Sequence, residues 1–255
     1  MSSPERFTEH VVVVGASGAL GSAIVRSLHE AGQHVIGIAR SLESLRDQAT
    51  EYGDGFQALA ADLAADAAIE RISAALSRPV SMVVHAPGVP VAGAIRTAPT
   101  AAMVEACNIK VGGFIRLVRA VESRLRPKSR LVAIGGHYGF EPTAYAATAG
   151  VANAALANVV RQCSWAYGEL GVTAHLVAPG PADTERLHNV ARTRAAQAGK
   201  PLEAIIEEMK AESAINRLVE PDQVGWAVAL LLDPRADAMA GSALMLDAGR
   251  RRGLP

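Results

Sequence analysis

Short apolar runs alternate along the chain with longer stretches in which apolar residues recur every three or four positions. The short runs are rich in β-branched residues and apolar throughout, which is typical of strands in a parallel sheet covered on both faces. They predict seven strands, at Val11–Val14, Val35–Ala39, Phe56–Ala61, Val80–Val84, Leu131–Ile134, Thr173–Val177 and Ala243–Leu246. The longer stretches predict helices at about 18–31, 41–51, 66–77, 99–125, 144–170 and 221–233. The alternation indicates the α/β class, with a doubly wound seven-stranded parallel sheet and helices on both faces.

Gly32 and Gly171 each stand just before a predicted strand, where the preceding helix needs a C-cap. By contrast, the polar segment 183–216 is helical in pattern and has no strand of its own. An insertion at this point would lie over the carboxyl ends of the strands, where doubly wound sheets bind ligands. We interpret 183–216 as a mobile substrate lid on a single domain that spans 1–255. A plain surface excursion is the alternative.

The composition favours a compact protein without an affinity for polyanions. The chain has 255 residues, of which 50% are hydrophobic and 20% are charged, so it is able to bury a sizeable core. Its 25 basic and 25 acidic residues balance, which gives no sequence-independent attraction to nucleic acid or to an anionic membrane. We interpret the run Arg250, Arg251 and Arg252 as a solvated tail.

Cysteine usage and the start of the chain indicate a cytoplasmic protein. Cys107 and Cys163 lie far apart without metal-ligand spacing, so the sequence indicates neither a disulfide framework nor a metal site. No apolar run approaches the roughly 18 residues that a membrane span needs. The segment from Met1 to His10 is polar and lacks the pattern of a secretory signal.

The segment Gly15-Ala16-Ser17-Gly18-Ala19-Leu20-Gly21 directly follows the first predicted strand and opens the first helix. Glycines there permit a tight turn and a close approach of the backbone to a pyrophosphate, which then lies on the positive N-terminus of the helix. The motif predicts a dinucleotide site formed by Gly15, Ser17, Gly18, Ala19, Leu20 and Gly21. A glycine turn with a purely structural role is the alternative.

The end of the second strand indicates which dinucleotide binds. An NAD site needs an acidic residue about 20 positions after the glycines, to hold the ribose 2′-hydroxyl. Here the strand ends with Ala39-Arg40-Ser41 and has no carboxylate. The planar guanidinium of Arg40 suits a 2′-phosphate, so the sequence favours NADP over NAD. A solvent-facing arginine without a ligand is the alternative.

Further motifs follow the later strands. They are Ala61-Asp62-Leu63, Asn108, the segment from Ala178 to Thr184, Ala240-Gly241-Ser242 and Leu246-Asp247-Ala248-Gly249. With the glycine motif they resemble the short-chain dehydrogenase/reductase family from about His10 to Gly249. The resemblance implies a Rossmann-type fold, an adenine contact from Asp62 and a structural and proton-relay role for Asn108. It implies further cofactor contacts from Leu63, His85, Ala86, Gly88, Tyr145, Pro179 and Gly180.

The catalytic segments depart from the Ser, Tyr and Lys of the family. By position, Gly136 stands where the Ser is expected, Tyr145 matches the Tyr and Ala149 replaces the Lys. The segment His85-Ala86-Pro87-Gly88 replaces the family's Asn-Asn-Ala-Gly. The middle glycine of the family's glycine motif is also shifted, because Gly18 comes before Ala19. Residues four apart on a helix share a face, so the missing Lys would have stood beside Tyr145. Without it, we expect the pKa of Tyr145 to lie near the ordinary phenol value of about 10.

Three residues are candidates to replace the missing groups. His137 follows Gly136 and is expected to titrate near neutral pH, either as a catalytic group or as a loop residue that faces solvent. His85 stands where the family lines the cofactor pocket, and packing or cofactor contact is favoured over proton transfer. Lys110 lies two positions after Asn108, on a different helical face, so we expect a lysine at the surface or at a subunit interface.

Two functional hypotheses follow. The first is an NADP(H)-dependent oxidoreductase that reduces a carbonyl of a small, partly apolar substrate, with Tyr145 as proton donor and Asn108 and His137 as further catalytic candidates. The second, favoured by the loss of the Ser and Lys, is an NADP-binding member with a non-redox activity (a cyclase, lyase or isomerase), or a catalytically inactive NADP sensor. The resemblance also implies a homodimer or homotetramer, since relatives commonly pair their long fourth and fifth helices.

Overall fold

The computed structural model describes residues 7–89 and 93–253. The strands of the described residues are β1 His10–Val14, β2 Val35–Ala39, β3 Phe56–Ala60, β4 Val80–His85, β5 Leu125–Ile134, β6 Thr173–Pro179 and β7 Ala243–Leu246. The helices are α1 Ala19–Glu30, α2 Arg46–Tyr52, α3 Ala67–Ala75, α4 Thr100–Cys107, α5 Gly113–Val121, α6 Ala147–Gly168, α7 Glu185–Ala198, α8 Leu202–Ala211 and α9 Pro221–Leu230. Each apolar run that predicted a strand forms one.

The strands pair in parallel in the order β3-β2-β1-β4-β5-β6-β7. The doubly wound seven-stranded sheet is therefore confirmed. The chain order reverses between β1 and β4, so the loops that follow these two strands diverge. Such a reversal opens a crevice at the carboxyl ends of the strands, which is where sheets of this kind bind ligands.

Two apolar layers cover the sheet. On one face, Val12 and Leu131 pack with Ile72 of α3, Phe114 of α5 and Leu156 of α6. On the other face, alternate strand residues pack against α1 and α9, whose contributions include Ile24, Leu28, Val224 and Val228. Burial of both faces explains why the strands are apolar throughout.

The largest departures from the predicted boundaries lie before and within β5. A π-helical turn at Asn108–Gly112 divides the predicted helix 99–125 into α4 and α5. β5 then begins at Leu125, earlier than predicted, because the exposed residues Arg126, Pro127 and Lys128 interrupt the apolar pattern that predicted the strand. Lys128 has a φ of 76°, and the register with β4 shifts at this point.

Gly32 and Gly171 end α1 and α6 as predicted, with φ angles of 78° and 69°. The amide of Gln33 donates to the carbonyl of Leu28 at 3.0 Å, and the amide of Val172 donates to that of Tyr167 at 3.2 Å. These bonds satisfy carbonyl groups at the helix ends, which is the usual function of a left-handed glycine there.

The segment 183–216 forms α7 and α8, which share a small apolar cluster that includes Ala191, Ala195, Ile205 and Met209. Residues of both helices line the cleft described below, whereas movement of this lid stays a prediction.

The helices expected to pair between subunits carry exposed apolar residues. Val104 on α4 exposes 69% of its surface, and Val151 on α6 exposes 46%. Pairing of these helices between subunits stays a prediction.

Within 7–89 and 93–253, no helix is both long and apolar enough to span a bilayer. The same residues contain no group of three His, Cys, Asp or Glu side chains that is arranged to hold a metal ion.

The contact between α1 and α9 gives a test of the packing. A Cβ at Gly225 would lie 2.5 Å from Ser27 Oγ and 2.6 Å from the carbonyl oxygen of Ala23, whereas a Cβ at Gly168 meets nothing within 4 Å. We expect Gly225→Ala to lower the free energy of unfolding by about 1–3 kcal/mol, because the two helices must separate. Gly168→Ala should leave it unchanged or raise it by up to about 1 kcal/mol. Urea denaturation measures both, and equal effects would contradict this packing.

Candidate active site

The turn from β1 to α1 forms a cradle that only glycines permit. Gly15 has a φ of 79°, and a Cβ on it would lie 3.0 Å from the backbone of Ala86. A Cβ at Gly21 would lie 2.0 Å from the carbonyl oxygen of Gly15. Gly18 caps α1 without a side-chain hydrogen bond, and the first turn of the helix has no acidic residue. The first amide groups of α1 are thus left to bind an anion such as a pyrophosphate.

A cleft of about 620 Å³ runs from this turn to the loops after β5 and β6. Nine of the predicted cofactor residues line it: Gly18, Ala19, Leu20, Gly21, Ala86, Gly88, Tyr145, Pro179 and Gly180. Gly15 and Ser17 belong to the turn itself, while Arg40 and Asp62 are exposed just beyond β2 and β3. Arg40 has no acidic partner among the described residues, so its guanidinium is available to a ligand.

Leu63 and His85 are placed differently from the expectation. Leu63 is 5% exposed and belongs to the apolar core. The His85 side chain is fully buried, and its Nε2 lies 3.0 Å from the carbonyl oxygen of Ile109. Burial and the positive charge of Lys110 lower the pKa of His85 to about 3. Neither side chain lines the cleft, so contacts of these two residues with a cofactor stay a prediction, and the side chain of His85 packs in the interior.

Lys110 is also buried, which corrects the expectation of a surface or interface lysine. Its Nζ donates a hydrogen bond of 2.8 Å to the carbonyl oxygen of Ile134, the last residue of β5. Burial and the positive charge of Arg186 lower the pKa of Lys110 to about 8. The sequence argument failed because the helical face that carries Lys110 is buried against the end of β5, a contact that the sequence pattern does not show.

Asn108 uses its side chain to join two segments. Its Nδ2 donates to the carbonyl oxygen of Ala64 at 3.1 Å, and its Oδ1 accepts from Arg116 Nη1 at 2.9 Å. Arg116 also donates to the carbonyl oxygen of Leu63. The structural role expected of Asn108 fits these contacts, but its side chain does not line the cleft, so its catalytic role stays a prediction.

Tyr145 lies in the cleft with 38% of its surface exposed, which leaves it accessible to a substrate. Its hydroxyl is hydrogen-bonded to the hydroxyl of Tyr138. The guanidinium carbon of Arg194, on α7, lies 4.7 Å from the centre of the Tyr145 ring. Arg250 reaches the same cleft from the C-terminal segment, and it is ion-paired with Glu212.

These neighbours set the acidity of the phenol. Burial opposes ionisation of Tyr145, but the hydrogen bond with Tyr138 and the positive charges of Arg194 and Arg250 outweigh it, so the pKa of Tyr145 is lowered. Burial and the bond to Tyr145 raise the pKa of Tyr138 to about 12. The expectation that Tyr145 keeps an ordinary pKa is therefore wrong, because the cations that replace the missing Lys come from other segments.

Arg194 and Arg250 are the site residues that sequence reasoning missed. The side chain of Arg250 is only 10% exposed, which corrects the interpretation of Arg250–Arg252 as a solvated tail. Arg194 is one of several charged residues on a polar helix, and the pattern gave no reason to single it out. Both reach Tyr145 across the fold.

The positions of the missing Ser and Lys are filled in a way that the sequence did not indicate. A Cβ at Gly136 would lie 2.8 Å from Nδ2 of Asn153, so a serine there requires Asn153 to move. Asn153 is 6% exposed, and its Oδ1 has no hydrogen-bond partner in the described structure. α6 begins at Ala147, so Tyr145 precedes the helix, but Ala149 lines the same cleft as Tyr145.

His137 does not titrate near neutral pH, contrary to the expectation. It is 3% exposed, and its ring lies 3.9 Å from that of Tyr138. Burial and the positive charge of Arg250 lower the pKa of His137 to about 4, so its imidazole is neutral at physiological pH. It lines the cleft beside Tyr138, and a catalytic role for His137 stays a prediction.

Comparison with known proteins fits this architecture. A family model described as Enoyl-(Acyl carrier protein) reductase matches residues 15–251. The chain belongs to the short-chain dehydrogenase/reductase family. The fold, the glycine turn and the family assignment thus agree.

Three members of the family illustrate the likeness. The cis-4-hydroxycyclohexanecarboxylate dehydrogenase of Sinomonas cyclohexanicum is 29% identical over 260 residues, which cover 96% of this chain and 98% of that protein. A variant of actinorhodin polyketide ketoreductase, solved with NADPH, has a TM-score of 0.88 at 24% identity and covers 95% of this chain and 97% of its own. An NADPH-bound short-chain oxidoreductase from Pseudomonas aeruginosa PAO1, described as containing an atypical catalytic center, has a TM-score of 0.87 at 22% identity over 98% of this chain and 100% of its own. The two structures are similar to this chain in fold.

An alkaline titration of the tyrosines tests the geometry around Tyr145. The chain has four tyrosines, and the pKa values of the other three, Tyr52, Tyr138 and Tyr167, are raised by burial. We expect one phenolate to form below pH 10.0, detected by its ultraviolet absorbance, and three to form above that value.

Variants assign the first of these phenolates. Tyr145→Phe should remove it, and Tyr138→Phe should move it to higher pH because the phenolate loses a hydrogen-bond donor. Tyr167→Phe, which removes one of the late tyrosines, is the control. Persistence of the early phenolate in Tyr145→Phe would contradict the arrangement.

Proposed function

We propose that the protein is an NADP(H)-dependent oxidoreductase that reduces a carbonyl group to an alcohol, with Tyr145 as proton donor. The observation that carries the proposal is the position of Tyr145. Its hydroxyl lies in the cleft that begins at the glycine turn, beside two guanidinium groups that lower its pKa. A dinucleotide bound along the cleft therefore has an acid at its far end.

The residues present fit an NADP cofactor. The glycine turn leaves room that a Cβ would fill, and the N-terminus of α1 offers uncapped amide groups to a pyrophosphate. Arg40 stands beyond β2 without an acidic partner among the described residues, so it is free to pair with a 2′-phosphate. When bound, NADPH supplies a hydride to the carbonyl carbon and leaves as NADP⁺.

Tyr145 supplies the other half of the reaction. Its hydroxyl donates a proton to the carbonyl oxygen, so that the hydride and this proton together convert the carbonyl into an alcohol. A lowered pKa makes the phenol a stronger acid than free tyrosine. The hydrogen bond from Tyr138 and the charges of Arg194 and Arg250 stabilise the phenolate that remains.

The lid closes the substrate end of the cleft. Leu187, Val190 and Met209 line it from α7 and α8, and Arg186 of α7 donates a hydrogen bond to the carbonyl oxygen of Val89. These contacts place apolar side chains over the substrate end of the cleft, while Tyr145 stays accessible to a substrate.

Cofactor choice depends on Arg40 in this proposal. Arg40→Ala should weaken NADPH binding about tenfold or more, because a charge-assisted pair with the 2′-phosphate is lost, and should leave NADH binding unchanged. Titration calorimetry measures both dissociation constants. Arg46→Ala is the control, because Arg46 is exposed nearby and paired with Glu43. An equal loss for NADPH and NADH in Arg40→Ala would count against the assignment.

The proton donor is tested by Tyr145→Phe in an assay of NADPH oxidation with a panel of small ketones and aldehydes. The variant should lose about 100-fold or more in turnover, since no general acid remains at the carbonyl oxygen. Wild-type reduction should fall as the pH rises through the lowered pKa of Tyr145, because the reaction needs the neutral phenol. Tyr167→Phe, with its hydroxyl bonded to Glu122 outside the cleft, should retain full activity. Full turnover in Tyr145→Phe would show that another group supplies the proton. No NADPH oxidation by wild type with any member of the panel would favour an NADP-bound member with a non-redox activity.

A further inference from the structure

The charges that line the cleft are unbalanced. Arg186, Arg194 and Arg250 are among the lining residues, and Glu185 is the one carboxylate among the described residues that line it. Glu185 is exposed and paired with Arg192, so it does not neutralise any of the three. The cleft is therefore cationic before anything binds.

Two of the three guanidinium groups already have partners. Arg186 donates to the carbonyl oxygen of Val89, and Arg250 is paired with Glu212. Arg194 has no carboxylate partner in the described part of the chain, and its contact is the face of the Tyr145 ring. Among the described residues neither Arg186 nor Arg194 has a counter-ion, and Arg194 is the one that lies on the ring of Tyr145. An anion is the ligand that would satisfy its charge.

The anion that Arg194 meets is not the cofactor phosphate. The pyrophosphate and the 2′-phosphate are assigned to the glycine turn and to Arg40, whereas Arg194 lies at the ring of Tyr145, where the reacting carbonyl must lie. A negative group here belongs to the substrate. Since the guanidinium stands beside the atom that protonates the carbonyl oxygen, the negative group must be close to the carbonyl carbon.

The rest of the substrate meets apolar side chains. Leu187 and Val190 lie seven and four positions before Arg194 on α7, so the three share one face of the helix. Met209 adds apolar surface from α8. The same wall therefore presents one guanidinium and several aliphatic groups.

We infer that the substrate is an aliphatic α-oxo acid, whose carboxylate pairs with Arg194 while its carbonyl oxygen receives the proton of Tyr145 and its alkyl chain packs on Leu187, Val190 and Met209. The inference rests on the proposed reductase function and names its substrate class. The products are the α-hydroxy acid and NADP⁺.

A first experiment measures binding without turnover. Titration calorimetry in the presence of saturating NADP⁺ compares hexanoate with hexanamide, which has the same chain and no charge. Hexanoate should bind wild type at least about tenfold more tightly than hexanamide, and Arg194→Gln should abolish this difference. Arg235→Gln is the control, because Arg235 is exposed and pairs with Asp233, and neither residue lines the cleft. Equal binding of hexanoate and hexanamide by wild type would overturn the inference.

A second experiment separates substrate binding from an effect on Tyr145. NADPH oxidation is compared for the α-oxo acid with a butyl chain and for its primary amide. Arg194→Gln should raise the KM of the acid about tenfold or more while leaving the KM of the amide unchanged, whatever it does to kcat through Tyr145. Equal losses for acid and amide would overturn the inference and leave the reductase in place. No oxidation of NADPH with either compound, while a ketone or aldehyde of the panel is reduced, would also overturn the inference. No oxidation of NADPH with any of these carbonyls would overturn the proposed function.

Discussion

The positive charge beside Tyr145 is the interaction on which the chemistry of this cleft depends. A phenol in a partly buried cleft is normally a weaker acid than in water, because burial disfavours the phenolate. Arg194 and Arg250 reverse this, with help from the hydroxyl of Tyr138. A guanidinium keeps its proton at every physiological pH, so the field at Tyr145 does not weaken as the pH rises.

The origin of these charges links the acid to the lid. Arg194 belongs to α7, and Arg250 is ion-paired with Glu212, just beyond α8. The acidity of Tyr145 therefore depends on both lid helices lying over the cleft. A lysine at position 149 of α6, four residues after Tyr145, would not make the acidity of Tyr145 depend on the lid helices.

One cation lowers the pKa of two groups. Arg250 favours the phenolate of Tyr145 and, together with burial, disfavours the imidazolium of His137. Burial and the charge of Lys110 likewise lower the pKa of His85. Burial and the neighbouring basic groups thus keep both histidines neutral.

The sequence by itself determined the fold and the glycine turn at one end of the cleft. Apolar runs of strand length, separated by helical periods, specify a parallel sheet, and Gly15 and Gly21 occupy positions where a Cβ would collide with the backbone. These are local properties, set by residues within one or two elements. Only the tertiary structure decided the other end of the cleft. Tyr145, Arg194 and Arg250 come from three distant segments, and the burial of Lys110 against the end of β5 is a contact between elements that no periodicity indicated. Charge acts through space, so the protonation of a side chain follows from what the fold places beside it and not from its neighbours in the chain.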